Sequence, residues 1–167
     1  MPNYCRNILT VRDNADGLDK ILEFIKDEKH PLSFDRIIPY PKEYKDADDM
    51  CEAWDNTPEN ERSSKIPPAD GYNHGGYEWR IKNWGTKWDA INPVVIDMLG
   101  KYRVIITFET AWAPPIEVFN ALSQKFPKNS IELEYFECGM EFCGGARWEN
   151  GVQTDSFRRE YNGWLGG

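Results

Sequence analysis

The chain has little histidine, no closely spaced cysteine pair and no long apolar run. His30 and His74 are its two imidazoles, which leave little material for a histidine-based catalytic centre. The four cysteines, at positions 5, 51, 138 and 143, include no Cys-x-x-Cys spacing, so we expect reduced free cysteines without a zinc site, an iron–sulfur cluster or any other cofactor. No apolar stretch reaches the roughly 18 residues of a membrane span, and residues 1–7 do not resemble a signal peptide, which predicts a cytoplasmic chain.

Positive charge is also scarce. The 20 lysines and arginines are outnumbered by 28 acidic residues, giving a formal net charge of −8 at pH 7. This balance disfavours DNA or RNA binding through a broad basic face, because phosphate contacts dominate such affinity. The acidic residues are concentrated between 41 and 70, where nine of them accompany four basic ones. A local positive pocket elsewhere on the chain therefore stays compatible with the composition.

Apolar periodicity predicts two strand–helix–strand units. The expected elements are a strand at Asn7–Arg12, a helix at Asp16–Glu28, a strand at Ser33–Ile38, a strand at Lys101–Glu109, a helix at Pro115–Phe126 and a strand at Ile131–Phe136. Two more strands, Glu141–Trp148 and Val152–Phe157, should be joined by a turn at Asn150–Gly151, because both residue types tolerate positive φ.

The remaining segments carry weaker signals. The expectations are a short helix within Glu43–Asp55, loop from there to residue 76, an extended segment at Glu78–Lys82, a helical turn at Thr86–Ile91, a helix at Pro93–Leu99 and a bulge at Gly144–Gly145. The tail from Glu160 to Gly167 should be loose, apart from Trp164.

This order of elements predicts an α+β fold in one domain of residues 1–167. It fits a ferredoxin-like, split βαβ antiparallel sheet with two main helices on one face and extra C-terminal hairpin strands. An acidic insertion at about residues 42–76 would follow the second strand. A polar loop of that length in a compact domain is usually functional or disordered.

The stretch from Tyr77 to Ala90 is rich in aromatic side chains and cations. It contains Trp79, Trp84 and Trp88, with Arg80, Lys82 and Lys87 between them. One interpretation is a small core, in which the indoles plug one end of the sheet and the cations are solvated. The other is a pocket wall, in which aromatic faces stack on a ligand and the cations hold an anionic group.

Three segments together resemble a known family. They are Met1–Asn7, Asn83–Trp84–Gly85–Thr86–Lys87–Trp88–Asp89, and Phe108–Pro115. They are similar to the YubB-like proteins, a family of unknown function with a ferredoxin-like domain found on phages and plasmids. The resemblance implies the same fold and a mobile-element origin, and it implies no activity, substrate or catalytic residues.

Three functional hypotheses follow. The first is a non-enzymatic binding protein that recognises a host protein or a small anionic ligand, such as a nucleotide, through Trp79, Arg80, Trp84, Lys87, Trp88 and Trp112. The second is a hydrolase that uses His74 with an acidic neighbour such as Glu78 or Asp89. The third is an acidic nucleic-acid mimic, in which the insertion occupies a basic host protein.

Overall fold

The chain forms one sheet, with helices in the connections that follow its strands β1 and β3. The computed structural model describes residues 3–13, 18–161 and 163. Its elements are β1 (Tyr4–Asp13), α1 (Asp19–Ile25), α2 (Phe34–Ile37), α3 (Lys42–Asn56), α4 (Tyr77–Trp84), β2 (Ile91–Leu99), β3 (Arg103–Ala111), α5 (Ile116–Lys125), β4 (Asn129–Glu137), β5 (Phe142–Glu149) and β6 (Val152–Glu160).

The six strands form one antiparallel sheet in the order β2-β3-β1-β4-β5-β6. Strands β1 to β4, with helix α1 after β1 and helix α5 after β3, have the ferredoxin-like arrangement. Strands β5 and β6 extend the sheet beyond β4 as the C-terminal hairpin. The predicted fold class is therefore confirmed.

The core lies between the sheet and helices α1 and α5. Alternate β3 residues, Val104, Ile106 and Phe108, are buried and pack in one cluster with residues of both helices. On α5 the buried positions include Phe119 and Leu122, two members of the stripe that the sequence predicts. The period-two and period-3.6 patterns were informative here because each element buries one face only.

Residues 33–38 do not form the predicted second strand. Phe34–Ile37 is the short helix α2, and its first turn is held by a carboxylate distant in sequence. Asp89 accepts hydrogen bonds from the Ser33 hydroxyl at 2.8 Å and from the backbone N–H groups of Phe34 and Asp35. The acidic insertion consequently lies before the second strand of the sheet, not after it.

The second strand is instead β2, where the sequence predicts a helix over Pro93–Leu99. Val94, Val95 and Ile96 are β-branched, and Val94 and Val95 pair with β3, so the strand preference of this run overrides the helix-start signal of Pro93. Two neighbouring predictions were also wrong. Residues 78–82 lie in helix α4 and not in an extended segment, and residues 86–89 form bends and not a helical turn.

The insertion is more structured than a loop. The predicted short helix is confirmed as α3, which has no buried residue although it is 15 residues long. Glu59–Glu61 forms a 3₁₀ turn and Tyr72–Gly76 forms a wide helical turn before α4.

The C-terminal hairpin confirms one prediction and corrects another. Asn150 and Gly151 both have positive φ, at 54° and 79°, as the turn requires. Gly144 and Gly145 stay in register on both sides, so they form no bulge. A Cβ at Gly144 would lie 2.4 Å from both the Phe157 carbonyl oxygen and the Tyr135 hydroxyl oxygen, so glycine serves close packing there.

Some predicted features fall outside the described residues. The start of the first helix at Asp16, with the turn at 14–17, and the tail residues 162 and 164–167, including Trp164, lie outside them.

On the sheet face away from the helices, one carboxylate lies between two arginines. Glu132 accepts hydrogen bonds from Arg12 at 2.8 Å and from Arg147 at 3.2 Å. The hydrogen bond from Arg12, reinforced by Arg147, lowers the pKa of Glu132 from its ordinary value of 4.5. The three side chains tie β1, β4 and β5 together.

We predict that Phe34→Ala lowers the free energy of unfolding by about 3–5 kcal/mol, since it removes a fully buried ring. That ring makes edge-on contacts with Trp84, Phe108 and Phe119. Urea denaturation at pH 7 measures the change. Ile66→Ala, at a position 76% exposed, is the control and should stay within about 0.5 kcal/mol of wild type.

We predict that Glu132→Gln flattens the loss of stability in acid. A carboxylate with a lowered folded pKa adds stability above its unfolded pKa, and this stability is lost as the pH falls through the folded pKa. The wild type should therefore lose more stability than Glu132→Gln between pH 7 and pH 3, measured by urea denaturation at both. The matched control is Glu134→Gln on the same strand face; equal slopes for Glu132→Gln and wild type would contradict the prediction.

Candidate functional site

The 83–89 segment connects helix α4 to the rest of the fold. Trp84 is 2% exposed, and its indole N–H donates to the Ile38 carbonyl oxygen at 2.9 Å. Gly85 then ends α4 with φ +77°, a left-handed conformation that glycine adopts without strain. The segment thus leaves the helix with one indole in the core.

Two polar residues of the segment are used to fix it to its neighbours. Thr86 is fully buried; its hydroxyl donates to the Ala111 carbonyl oxygen at 3.0 Å and accepts from the Ala111 N–H at 3.1 Å. Asp89 holds the first turn of α2, as described above. The segment therefore joins the end of β3 to the start of α2.

Arg80 lies among aromatic rings. Its guanidinium carbon is 4.1 Å from the ring centroid of Tyr40, 5.3 Å from that of Tyr72 and 5.5 Å from that of Trp84. A guanidinium nitrogen lies 3.5 Å from a carboxylate oxygen of Asp48 on α3, and the Arg80 side chain is 18% exposed. Arg80 consequently attaches the acidic insertion to α4.

Trp79 belongs to the same aromatic group. Its ring meets those of Trp84 and Tyr40 edge-on, with 5.6 Å between centroids in both pairs. Burial raises the pKa of Tyr40 to about 12, so this phenol stays protonated at neutral pH. For Trp79, Arg80 and Trp84, the small-core interpretation describes the geometry.

A hollow of about 250 Å³ lies beside this group, and its charge is negative. Four carboxylates and two cations are among its lining residues, which are Asp35, Tyr40, Lys45, Asp48, Asp49, Arg80, Trp84 and Asp89. An anion would meet more like than opposite charge here. The hollow does not suit the binding of a small anionic ligand, the role that the sequence suggested for Arg80.

The other three predicted residues meet at the surface. The Lys87 ammonium nitrogen lies 4.0 Å from the Trp88 ring centroid and 4.3 Å from the Trp112 ring centroid, so it sits against both indoles. Trp112 is 38% exposed and has φ +68°. We call Lys87, Trp88 and Trp112 the tryptophan–lysine patch.

The structure thus divides the six predicted site residues into two groups of three. Sequence reasoning missed Tyr40, Asp48, Thr86 and Asp89 as the residues that position these two groups. Tyr40 and Asp48 lie about 30–40 positions before Arg80, and no local spacing links such partners. The hydroxyl of Thr86 and the carboxylate of Asp89 could have been noticed as cap formers, but their partners are set by tertiary structure.

Two other side chains that could be reactive, those of His74 and Cys5, are hydrogen-bonded to the backbone or buried. The Nδ1 atom of His74 donates to the Asp70 carbonyl oxygen at 2.7 Å. Burial raises the pKa of the Cys5 thiol to about 12, which keeps it protonated and a poor nucleophile.

Within residues 3–13, 18–161 and 163, no group of three His, Cys, Asp or Glu side chains is arranged to hold a metal ion. In the same part of the chain no helix is both long and apolar enough to cross a membrane.

We predict that Arg80→Ala lowers the free energy of unfolding by about 2–4 kcal/mol, because it removes packing against Tyr40 and leaves Asp48 without its ion-pair partner. Lys82→Ala, at an exposed position of the same helix, is the control. Chemical denaturation compares the two. A change below about 0.5 kcal/mol in Arg80→Ala would contradict a structural role for this arginine.

Comparisons with known proteins agree with the fold. Residues 83–163 match the family model described as a ferredoxin-like domain in Api92-like protein. The chain is 31% identical over 95 residues to the uncharacterized protein YubB of Escherichia coli (strain K12); the match covers 52% of this chain and 65% of YubB. It therefore spans somewhat less than two thirds of that relative's length.

A solved structure is similar over almost the whole chain. The crystal structure of a protein api92 from Yersinia pseudotuberculosis aligns with a TM-score of 0.61 and 13% identity, over 97% of this chain and 99% of that one. At that identity the likeness establishes the fold alone. Residues 83–163 are similar to the ferredoxin-like domain of Api92-like proteins, and the predicted resemblance to a YubB-like family of unknown function is confirmed.

Proposed function

We propose that the chain is a non-enzymatic binding protein of a phage or plasmid, and that its tryptophan–lysine patch docks on a host protein. The observation that carries the proposal is the pair of indoles at the surface, with the Lys87 ammonium against both. Tryptophan is enriched among the residues that contribute most to protein–protein affinity.

The role of each neighbour strengthens this proposal. Trp84, Thr86 and Asp89 are used inside the protein, by the core, by β3 and by α2 respectively. Lys87 and Trp88 lie between Thr86 and Asp89 in the sequence, and they make their aromatic contacts at the surface instead. A recognition surface built on residues fixed from both sides would lose little side-chain freedom on binding.

The backbone of Trp112 supports a functional role independently. Its φ of +68° is unusual for a bulky side chain, and such a conformation costs roughly 1–3 kcal/mol. The Trp112 N–H donates to the Asn3 carbonyl oxygen at 2.9 Å, which helps to hold the conformation. A glycine or asparagine would adopt it more easily, so the indole at this position serves something other than local backbone stability.

A protein partner fits the patch better than a small anionic ligand. Lys87 is the patch's single cation, and it already faces two rings. The second cation that the sequence offered, Arg80, pairs with Asp48 beside a hollow rich in carboxylates. Two indoles around a lysine supply apolar area with a polar centre, which suits a protein surface.

The two alternatives have less support. For the hydrolase, the His74 ring bonds to a backbone carbonyl, and its contact to Glu78 or Asp89 would have to form on substrate binding. For the acidic mimic, α3 offers exposed carboxylates, but Asp48 and Asp46 already pair with Arg80 and Lys42. Affinity that falls steeply with salt would favour the mimic.

We predict that the double variant Trp88→Ala/Trp112→Gly loses the partner. Full-length wild type and variant serve as baits in host lysate, with quantitative mass spectrometry of the captured proteins. Binding of the captured protein, measured by calorimetry, should weaken at least tenfold, because the exposed Trp112 ring and the half-buried Trp88 ring are both removed. The matched control is Trp54→Ala, which removes an indole that also faces a cation, with Arg62 3.9 Å from its centroid, on the insertion.

Two further measurements separate binding from folding. The free energy of unfolding of Trp112→Gly should lie within about 1 kcal/mol of the wild-type value, because the lost ring contacts and the relieved backbone strain act in opposite directions. Capture that survives in the double variant but is lost in Trp54→Ala would place the partner on the insertion and refute the proposal. Tight nucleotide binding that depends on the patch would refute a protein partner.

A further inference from the structure

A second hollow, of about 400 Å³, lies on the sheet face away from the helices. Cys5 and Asn7 of β1 are buried on the helix side, so the alternating residues Arg6 and Ile8 point to this opposite face. Four strands contribute to its lining, which includes Arg6, Ile8, Asn92, Thr107, Glu109 and Phe136. We call it the sheet hollow. Its volume lies within the range of small-molecule sites.

The polar side chains of the sheet hollow have unused hydrogen-bonding capacity. Within residues 3–13, 18–161 and 163, no hydrogen bond engages the side chains of Arg6, Asn92, Thr107 and Glu109. Between them they offer a guanidinium, an amide, a hydroxyl and a carboxylate. These donors and acceptors are therefore available to a ligand.

Arg6 and Glu109 are a loosely joined pair of opposite charges. They lie directly opposite each other on β1 and β3, with 3.6 Å between the Arg6 Nε atom and a Glu109 carboxylate oxygen. That distance is longer than a hydrogen bond, and the two side chains are 57% and 30% exposed. The remaining guanidinium N–H groups can donate to a ligand carboxylate, and Glu109 can accept from a ligand ammonium beside it.

A β-bulge brings Asn92 to the sheet hollow. Ile91 pairs with Glu109 and Val94 with Thr107, so two residues of β2 lie opposite one residue of β3. Within this bulge Asn92 has a φ of +48°, a left-handed conformation that asparagine adopts more readily than most residues. Bulges are frequent beside binding sites, where they redirect a side chain. Here the redirected amide lies at the rim of a hollow.

The apolar part of the lining is held rigidly. Phe136 is 5% exposed, and the Tyr161 ring stacks on it with 5.5 Å between centroids and 13° between ring planes. The Arg6 guanidinium carbon lies 5.9 Å from the Phe136 ring centroid. With Ile8, this ring supplies an apolar contact beside the charged pair. A site whose side chains are already fixed loses little freedom on binding.

We propose that the sheet hollow binds a free α-amino acid with an apolar side chain. Arg6 holds the α-carboxylate, Glu109 holds the α-ammonium, and the ligand side chain lies against Ile8 and Phe136. The lining contains one cation and one anion, so it matches a ligand that carries one charge of each sign. This small-molecule site is separate from the tryptophan–lysine patch and goes beyond the function proposed for it.

Charge favours a zwitterion over a nucleotide. The net charge of −8 repels anions, whereas a zwitterion carries no net charge. A nucleotide phosphate would also meet a single arginine that already faces a carboxylate. An uncharged nucleoside is the competing ligand, since a base could lie against Phe136, and the experiment includes it.

NMR titration of the ¹⁵N-labelled full-length chain tests the proposal. The probes are L-leucine, L-phenylalanine and L-tryptophan, each added to about 10 mM. At least one of them should shift the amide signals of Arg6, Ile8 and Thr107 saturably. Two analogues of phenylalanine should bind at least about tenfold more weakly, because each lacks one charge: 3-phenylpropionate has no ammonium and phenethylamine has no carboxylate.

Two variants assign the charges to their residues. Arg6→Gln and Glu109→Gln should each weaken amino-acid binding at least about tenfold. Arg158→Gln is the matched control for the first, because Arg158 is an exposed arginine 4.1 Å from the Phe142 ring centroid and does not line the sheet hollow. Glu149→Gln, at an exposed position of β5, is the control for the second. Both controls should bind as the wild type does.

Four results would overturn the proposal. They are no saturable shift with any of the three amino acids, an analogue that binds as tightly as phenylalanine, binding that survives in Arg6→Gln and Glu109→Gln, and guanosine shifting these amides where amino acids do not. The analogue comparison needs no variant and therefore does not depend on how well a variant folds. The titration uses the purified chain alone, so its outcome is independent of the capture experiment for the tryptophan–lysine patch.

Discussion

The fold depends on the hydrogen bonds that the 83–89 segment makes to two distant parts of the chain. Thr86 exchanges two hydrogen bonds with Ala111 at the end of β3, and Asp89 accepts from the first turn of α2. These groups are buried or half-buried, where an unpaired donor or acceptor costs about 1–3 kcal/mol. The segment therefore has one position relative to the sheet, and the tryptophan–lysine patch is fixed with it.

The insertion is attached to the rest of the fold through aromatic rings and two ion pairs, Arg80–Asp48 and Lys45–Asp35. Arg80 reaches Asp48 on α3 while lying against Tyr40, and Trp79 and Trp84 complete the group. The acidic helix α3 buries none of its own residues fully, and it is also held by Tyr44, whose ring packs against the core. The cations that composition makes available for a ligand are thus partly used to hold the protein together.

Sequence patterns predicted the elements whose burial is regular. β1, β3, β4, α1 and α5 each bury one face, so their periodicity carries the information. The patterns failed at α2, α4 and β2. A helix of four residues such as Phe34–Ile37 is too short to show a period, and it forms because Asp89 caps it. Pro93 resembles a helix start, although the residues after it complete an edge strand.

The sequence by itself determined the fold class, the acidic character of residues 41–70 and the set of residues from which a recognition surface could be built. Only the tertiary structure decided which of those residues are accessible. Trp84 and Trp88 are four positions apart and equally apolar, yet Trp84 lies in the core and Trp88 is only half-buried, beside Lys87. They differ because Gly85 ends the helix between them and Thr86 then binds Ala111 at the end of β3. Local spacing in the sequence does not reveal a partner 25 positions away.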